Sequence, residues 1–283
     1  MLRFIHSEIL RGNSRTFPET YRDSRTEGID ALAEQMVPVS ELYSRTGIQK
    51  QLFNTVYQLL ALKQEHPEQL AAAESLLMVP DYFNFLLTGV KRQEYTNATS
   101  TNLVNARGKV WDLKLIERFG LPAKLFGELS LPGTVVGELS EEIQKEVGFN
   151  TTVILPATHD TGSAFLAVPA VDENAGYLSS GTWSLLGVEN GEPITTEQSR
   201  VQNMTNEGGA WYCYRYLKNI MGLWMIQSVR RELNGVEYVA GRKSKYLKLR
   251  TIELTQFEDY PSSDPTRQPY HWVQWTSAHQ KAQ

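Results

Sequence analysis

The chain has 283 residues, 41% of them hydrophobic and 21% charged, enough for one large or two medium globular domains. A formal net charge of −4 leaves no electrostatic footprint for nucleic acid or an anionic membrane. One cysteine, Cys213, excludes an internal disulfide framework and a cysteine-based metal site, and no apolar run approaches the ~18 residues of a spanning helix.

The opening MLRFIHSEIL is too short, and too interrupted by His6 and Glu8, for a signal peptide, so a reducing cytoplasm is expected. YRDSRT (21–26) reads as a salt-bridged loop or helix cap. A short helix is expected over 28–36, with Ile29, Leu32 and Met36 on one face. A longer one is expected from Ile48 to Lys63, because Leu52, Val56, Leu59 and Leu60 continue one stripe and Pro67 follows its end. Leu70 to Leu87 also reads as largely helical, with Pro80 in the first turn of a new helix and Gly89 as its C-terminal cap. The polar run Thr96 to Thr101 fits a cap or a cleft lining. Trp111 to Phe119 predicts another helix, and Thr134 to Leu139 and Thr152 to Leu155 carry strand signals.

The chemistry concentrates further on. Val153-Ile154-Leu155 has the character of a buried strand that delivers His159 and Asp160 into a turn, followed by Thr161, Gly162 and Ser163. A carboxylate at the mouth of a strand, beside a helix start, is where a general base can be aimed at a ligand. Pro169 to Asn174 looks like a domain boundary. Tyr177 to Val188 then reads as strand, tight turn, strand, in which Ser179, Ser180, Gly181 and Thr182 gather hydroxyls and amides suited to phosphate oxygens. Asn206 to Ala210 (NEGGA) reads as a turn, and Tyr216 to Leu233 as a helix ended by Asn234-Gly235. On that helix Asn219 and Gln227, eight positions apart, would lie about two turns, roughly 12 Å, from each other. After Gly241 a basic cluster and a proline- and tryptophan-bearing stretch show no stable period and read as a divergent tail, 242–283.

ATHDTGSAFLA (157–167) followed by YLSSGTWSLLGVE, together with YRDSRT, VPDYFNFLLTG, EYTNATSTNLVN, NMTNEGGA and YLKNIMGLW, resembles the FGGY carbohydrate kinase family. Within it, the order of HDT, SSGTWSL, NEGGA and KNIMGLW resembles members that phosphorylate L-rhamnulose. The resemblance implies an α/β fold of the actin-like, RNase H-like type, with 1–168 most of a sugar-side domain and 174–241 the start of a nucleotide-side domain. It implies transfer of the γ-phosphoryl group of ATP, accompanied by Mg²⁺, to the sugar 1-hydroxyl. In that scheme Asp160 is the base; His159, Asp160, Thr161 and Asn219 hold the sugar; Gly181 and Thr182 meet the phosphates and Gln227 the nucleotide. No protein ligand for the metal is named, since Mg²⁺ keeps several waters. The family's aspartate-containing phosphate motif would precede YRDSRT and its adenosine motif would follow residue 283. The sequence therefore reads as a kinase cut or diverged at both ends. The rival expectation is a catalytically silent remnant that binds sugar or oligomerises. A metal phosphohydrolase is disfavoured, because His6, His66, His271 and His279 form no ligand array with the His159-Asp160 pair. Ser180 lacks the G-x-S-x-G frame of a hydrolase nucleophile.

Overall fold

The computed structural model describes residues 24–170, 175–180 and 183–221. By contact the chain divides into one unit of Met1–Val168, Gly176–Ser179 and Leu185–Asn219, and a second of Pro169–Ala175, Ser180–Ser184 and Ile220–Gln283. The first unit opens with helices α1 (Ile29–Met36), α2 (Val39–Thr46), α3 (Thr55–Glu65), α4 (Pro67–Ala72) and α5 (Val79–Thr88). Next come β1 (Gln93–Glu94), α6 (Tyr95–Thr99), β2 (Val104–Asn105), β3 (Val110–Trp111), α7 (Leu113–Arg118) and β4 (Leu129–Ser130). A pair, β5 (Val135–Glu138) and β6 (Thr152–Ile154), flanks α8 (Glu141–Val147), and α9 (Asp160–Leu166) follows. The chain then forms a four-stranded sheet from β7 (Tyr177–Ser180), β8 (Trp183–Asn190), β9 (Met204–Gly208) and β10 (Tyr214–Met221), with α10 (Glu197–Val201) between β8 and β9. Its strand order is β7-β8-β10-β9. Among the described residues no helix is long and apolar enough to cross a membrane.

One apolar core unites α1, α2, α3, α4, α6 and α7. Val56, Leu59 and Leu60 of α3 are almost fully buried against Ile29 and Ala33 of α1 and Leu115 of α7 in a single cluster. Each such side chain contributes about 1.5–3 kcal/mol by leaving water.

Several helix limits differ from those the apolar spacing suggests. The third helix begins at Thr55, not Ile48, because the preceding backbone bonds to side chains. Gln51 N donates to Asn54 Oδ1 at 2.7 Å, Asn54 Nδ2 donates to Ser100 O at 3.0 Å, and Leu52 is left exposed. Between Leu70 and Leu87 the helix breaks at 73–78, where Leu76 N donates to Leu125 O at 3.0 Å. Pro80 and Gly89 stand as expected, the glycine in the left-handed region at φ 73°. Trp111 lies in β3, and the helix after it waits until Leu113, capped by Asp112, whose Oδ1 accepts from Leu115 N.

The largest differences fall in the sheet. Asn206 and Glu207 belong to β9 and not to a turn, and residues 216–221 extend β10 where a helix is expected. Tyr-Arg-Tyr-Leu-Lys-Asn fits either period, but Tyr214 to Lys218 pair antiparallel with Gly208 to Met204, and this ladder prevails over helical spacing. The remainder of the expected helix, with Gln227, lies outside the described residues. Nor is β6 a buried strand: among the described residues it pairs only with β5, and Ile154 is 53% exposed.

One buried acid links α5 to β1. Asp81 accepts from Met78 N at 3.3 Å and from Glu94 N at 3.2 Å. Burial pushes its carboxyl up to about 8, and nearby Glu94 adds to the rise, against the pull of the two amides. The folded chain thus keeps a proton that the unfolded chain releases near its ordinary value of 3.8. Stability should fall as pH rises from about 4 to 8, by at most ~1.4 kcal/mol per pH unit. Urea melts at pH 5 and pH 8 should show this loss, and Asp81→Asn should flatten it; an equal slope in the variant would contradict the assignment.

Candidate functional site

Glu94 builds the site. It is fully buried, and its carboxylate accepts five hydrogen bonds from two stretches of chain. Thr96 N donates to Oε1 at 2.8 Å, while Thr96 Oγ1 at 2.6 Å and Asn97 N at 3.1 Å donate to Oε2. Thr158 adds its amide at 3.1 Å and its hydroxyl at 2.6 Å, both to Oε2. The first three start α6; the last two fix the residue before His159. His159 N then donates to Thr96 Oγ1 at 3.3 Å. The polar run Thr96–Thr101 is therefore buried, and its first residue ties the loop before α9.

His159 occupies the N-cap position of α9 and is buried, whereas the Asp160 side chain is 81% exposed. His159 Nδ1 stands 3.3 Å from Asp160 Oδ1. That oxygen also accepts from Thr161 N at 2.7 Å and from Thr161 Oγ1 at 3.3 Å. The His159 contact, followed by these Thr161 bonds, holds the Asp160 carboxyl well below the usual carboxylate range, with burial opposing. The side chain is thus ionised, solvent-facing and tethered on one oxygen.

The sheet supplies residues that motif spacing does not point to. His159 Nε2 lies 3.3 Å from Glu207 Oε2 on β9, and the same oxygen lies 3.2 Å from an Arg215 guanidinium nitrogen on β10. Arg215 is fully buried; its Nε donates to Gly208 O at 3.0 Å and its guanidinium lies over the Phe165 ring of α9. Phe165 stacks on Tyr177 of β7 at 4.6 Å between centroids. A cue was present in the sequence: a single arginine alternates with Leu217 and Asn219 in an aromatic-rich run, which on a strand places all three on one face.

Of the residues expected at the site, His159, Asp160 and Thr161 stand together, with Thr161 buried and its hydroxyl on Asp160. Asn219 lies on β10 and its Nδ2 donates to Gln49 Oε1 at 2.9 Å. On a strand it is roughly 13 Å along from Arg215. Ser180 Oγ is 3.4 Å from Ser184 Oγ, while Gly181, Thr182 and Gln227 lie outside the described residues. Among the described residues no group of three or more His, Cys, Asp or Glu could hold a metal ion.

Residues 19–167, more than half of the chain, match the model of the FGGY family of carbohydrate kinases, N-terminal domain. The chain belongs to this family. It is 56% identical over 215 residues to a rhamnulokinase of Oceanobacillus iheyensis, covering 76% of this chain and 46% of that protein. It is 50% identical over 251 residues to a rhamnulokinase of Halalkalibacterium halodurans, covering 88% and 51%. The chain thus spans about half the length of these curated relatives. Among solved structures, a xylulose kinase from Rhodospirillum rubrum matches with TM-score 0.71 at 14% identity, over 86% of this chain and 49% of that one. A gluconate kinase from Lactobacillus acidophilus matches with TM-score 0.68 at 20% identity, over 83% and 47%. The fold is that of the actin-like sugar kinases, present here in part.

If Glu94 frames the site, Glu94→Gln should loosen it. An amide NH₂ would face donors, at a cost of ~3 kcal/mol or more. Hydrogen exchange at Thr158 and His159 should accelerate together with Thr96 and Asn97, while the α3–α7 contact region keeps its protection. Unchanged exchange at Thr158 would contradict the role given to Glu94.

Proposed function

We propose that this chain is the sugar-binding part of a cytoplasmic, ATP-dependent kinase that phosphorylates the 1-hydroxyl of L-rhamnulose. The observation that carries this reading is the Asp160 carboxylate, open to solvent at the start of α9 and braced by the buried His159. The relatives named as rhamnulokinases, 56% and 50% identical, support the choice of sugar.

Phosphoryl transfer asks a protein for positioning and charge stabilisation more than for covalent chemistry. In this reading Asp160 accepts the 1-hydroxyl proton as the new bond from sugar oxygen to the γ-phosphorus forms and the bond to the ADP oxygen breaks. A carboxylate held below its ordinary range stays ionised but is a weak base, so the proton passes to it only late, once bonding to phosphorus has made the hydroxyl acidic. His159 and Thr161 fix its direction, and Asn219 would reach the sugar from β10. ATP enters as its magnesium complex, a substrate; Gly181 and Thr182 would meet its phosphates and Gln227 its nucleotide. Residues 1–168 would serve the sugar side. Residues 174–241 would begin the nucleotide side, although Leu185–Asn219 share the first compact unit.

L-Rhamnulose should raise the melting temperature of the chain more than glycerol or xylulose at equal concentration. Equal shifts with all three would remove the assigned sugar. In a full-length kinase that carries these residues, ATP-dependent phosphorylation of L-rhamnulose, followed by coupled ADP release, should fall ~10²–10⁴-fold in Asp160→Asn while the sugar-induced shift persists. Undiminished turnover in that variant would dismiss Asp160 as the base.

A further inference from the structure

Three side chains beneath Asp160 have more hydrogen-bonding capacity than a tie between strands uses. Glu207 and Arg215 are register partners across β9 and β10, so an opposite-charge pair there has a ready structural reading, worth about 0.2–1 kcal/mol at a surface site. These two are not at the surface. Arg215 is fully buried, and Glu207 and His159 are 7% and 6% exposed. Burying such charges costs several kcal/mol per ion unless their bonds are well made. Here Glu207 Oε2, His159 Nδ1 and both terminal guanidinium nitrogens of Arg215 lack an aligned hydrogen bond, although Glu207 Oε2, His159 Nδ1 and one of those nitrogens, Nη2, face their partners at 3.2–3.3 Å. The row leads from Arg215 through Glu207 to one edge of the imidazole, and from its other edge to the exposed carboxylate of Asp160.

We infer that Glu207, braced by Arg215, is a positioning residue that holds the His159 ring edge-on to Asp160 and so sets the direction in which the Asp160 carboxylate meets the sugar hydroxyl. The inference rests on the reading of Asp160 as proton acceptor. The surroundings leave the ring few other supports. Its own amide is bound to Thr96 Oγ1, and Gly162 packs close to the arginine, since an added Cβ there would lie 3.7 Å from the guanidinium carbon and 3.4 Å from Ala157 Cβ. With a proton on each ring nitrogen, a small rotation of the imidazole would align Nε2 with Glu207 and Nδ1 with Asp160 together. Without the Glu207 carboxylate the ring has nothing fixing its Nε2 edge, and Asp160 keeps only its bonds to Thr161. Misplacement of a reacting group by about 1 Å costs on the order of 10²-fold in rate.

The test is Glu207→Gln in the full chain, with Glu207→Gln/Arg215→Met beside it. The double variant removes both buried charges together, so it folds even where the single change leaves Arg215 unpaired. Two readouts are taken. In ¹⁵N-labelled chain without ligand, the ring-nitrogen signals of His159, assigned by their loss in His159→Gln, should show a proton-bearing Nε2 that shifts in both variants. In a full-length kinase that carries these residues, with L-rhamnulose and ATP, kcat should fall ~10²-fold with the sugar KM changed less than threefold. Ring signals identical to wild type in whichever variant folds would overturn the inference, as would a rise in KM with kcat unchanged. Because the ring signals are read without sugar, their shift stands even if L-rhamnulose proves to be the wrong substrate, and failure of that reading is told apart.

Discussion

The site depends on one buried carboxylate. Glu94 gathers donors from Thr96, Asn97 and Thr158, joining chain positions 64 residues apart around two oxygen atoms. Each bond to a charged acceptor is worth more than a neutral one, and the three donors from Thr96 and Asn97 are buried away from water. Once Thr158 is fixed, the next residue must enter α9, and Asp160 must project outward from its first turn. The exposed Asp160 side chain thus owes its place to an acid that touches no solvent.

The sheet is held to the same frame by close approach. Gly208 N donates to Thr99 Oγ1 at 2.9 Å, and a Cβ at Gly208 would stand 2.7 Å from the Tyr95 ring, so only glycine lets β9 lie this near α6. Two residues earlier Asn206 uses its whole amide. It donates to Gly47 O and Ile194 O, each at 3.0 Å, and accepts from Ile194 N at 2.7 Å. Together these contacts bind β9 to both α2 and α6. They also carry Glu207, which lies between Asn206 and Gly208, under His159.

Much of this was legible in the sequence, unevenly. The α1 span, Pro80, Gly89 and the β5, β6, β7 and β8 strands follow from period and turn chemistry. His159 and Asp160 stand out as a polar pair after an apolar run. Local spacing misleads where a distant partner decides. Tyr216 to Met221 carries a helix-compatible apolar stripe, yet the free edges of β8 and β9 make it a strand. The start of α3 is delayed by Asn54, whose amide bonds to Ser100, 46 residues away. Glu94, Glu207 and Arg215 are ordinary charged residues by composition. The alternation of Arg215 with Leu217 and Asn219 is a faint cue for a strand face, but the burial of Glu94 and Glu207 comes from three-dimensional packing, and the family motif marks Glu207 only as part of a turn.

The most direct measurement is a crystal structure of the chain with L-rhamnulose bound. The account predicts the sugar 1-hydroxyl within hydrogen-bond reach, about 2.6–3.2 Å, of the Asp160 oxygen not held by Thr161. It also predicts the His159 ring seated between Glu207 and Asp160. A sugar bound elsewhere on the chain, or bound with its 1-hydroxyl turned from Asp160, would contradict it.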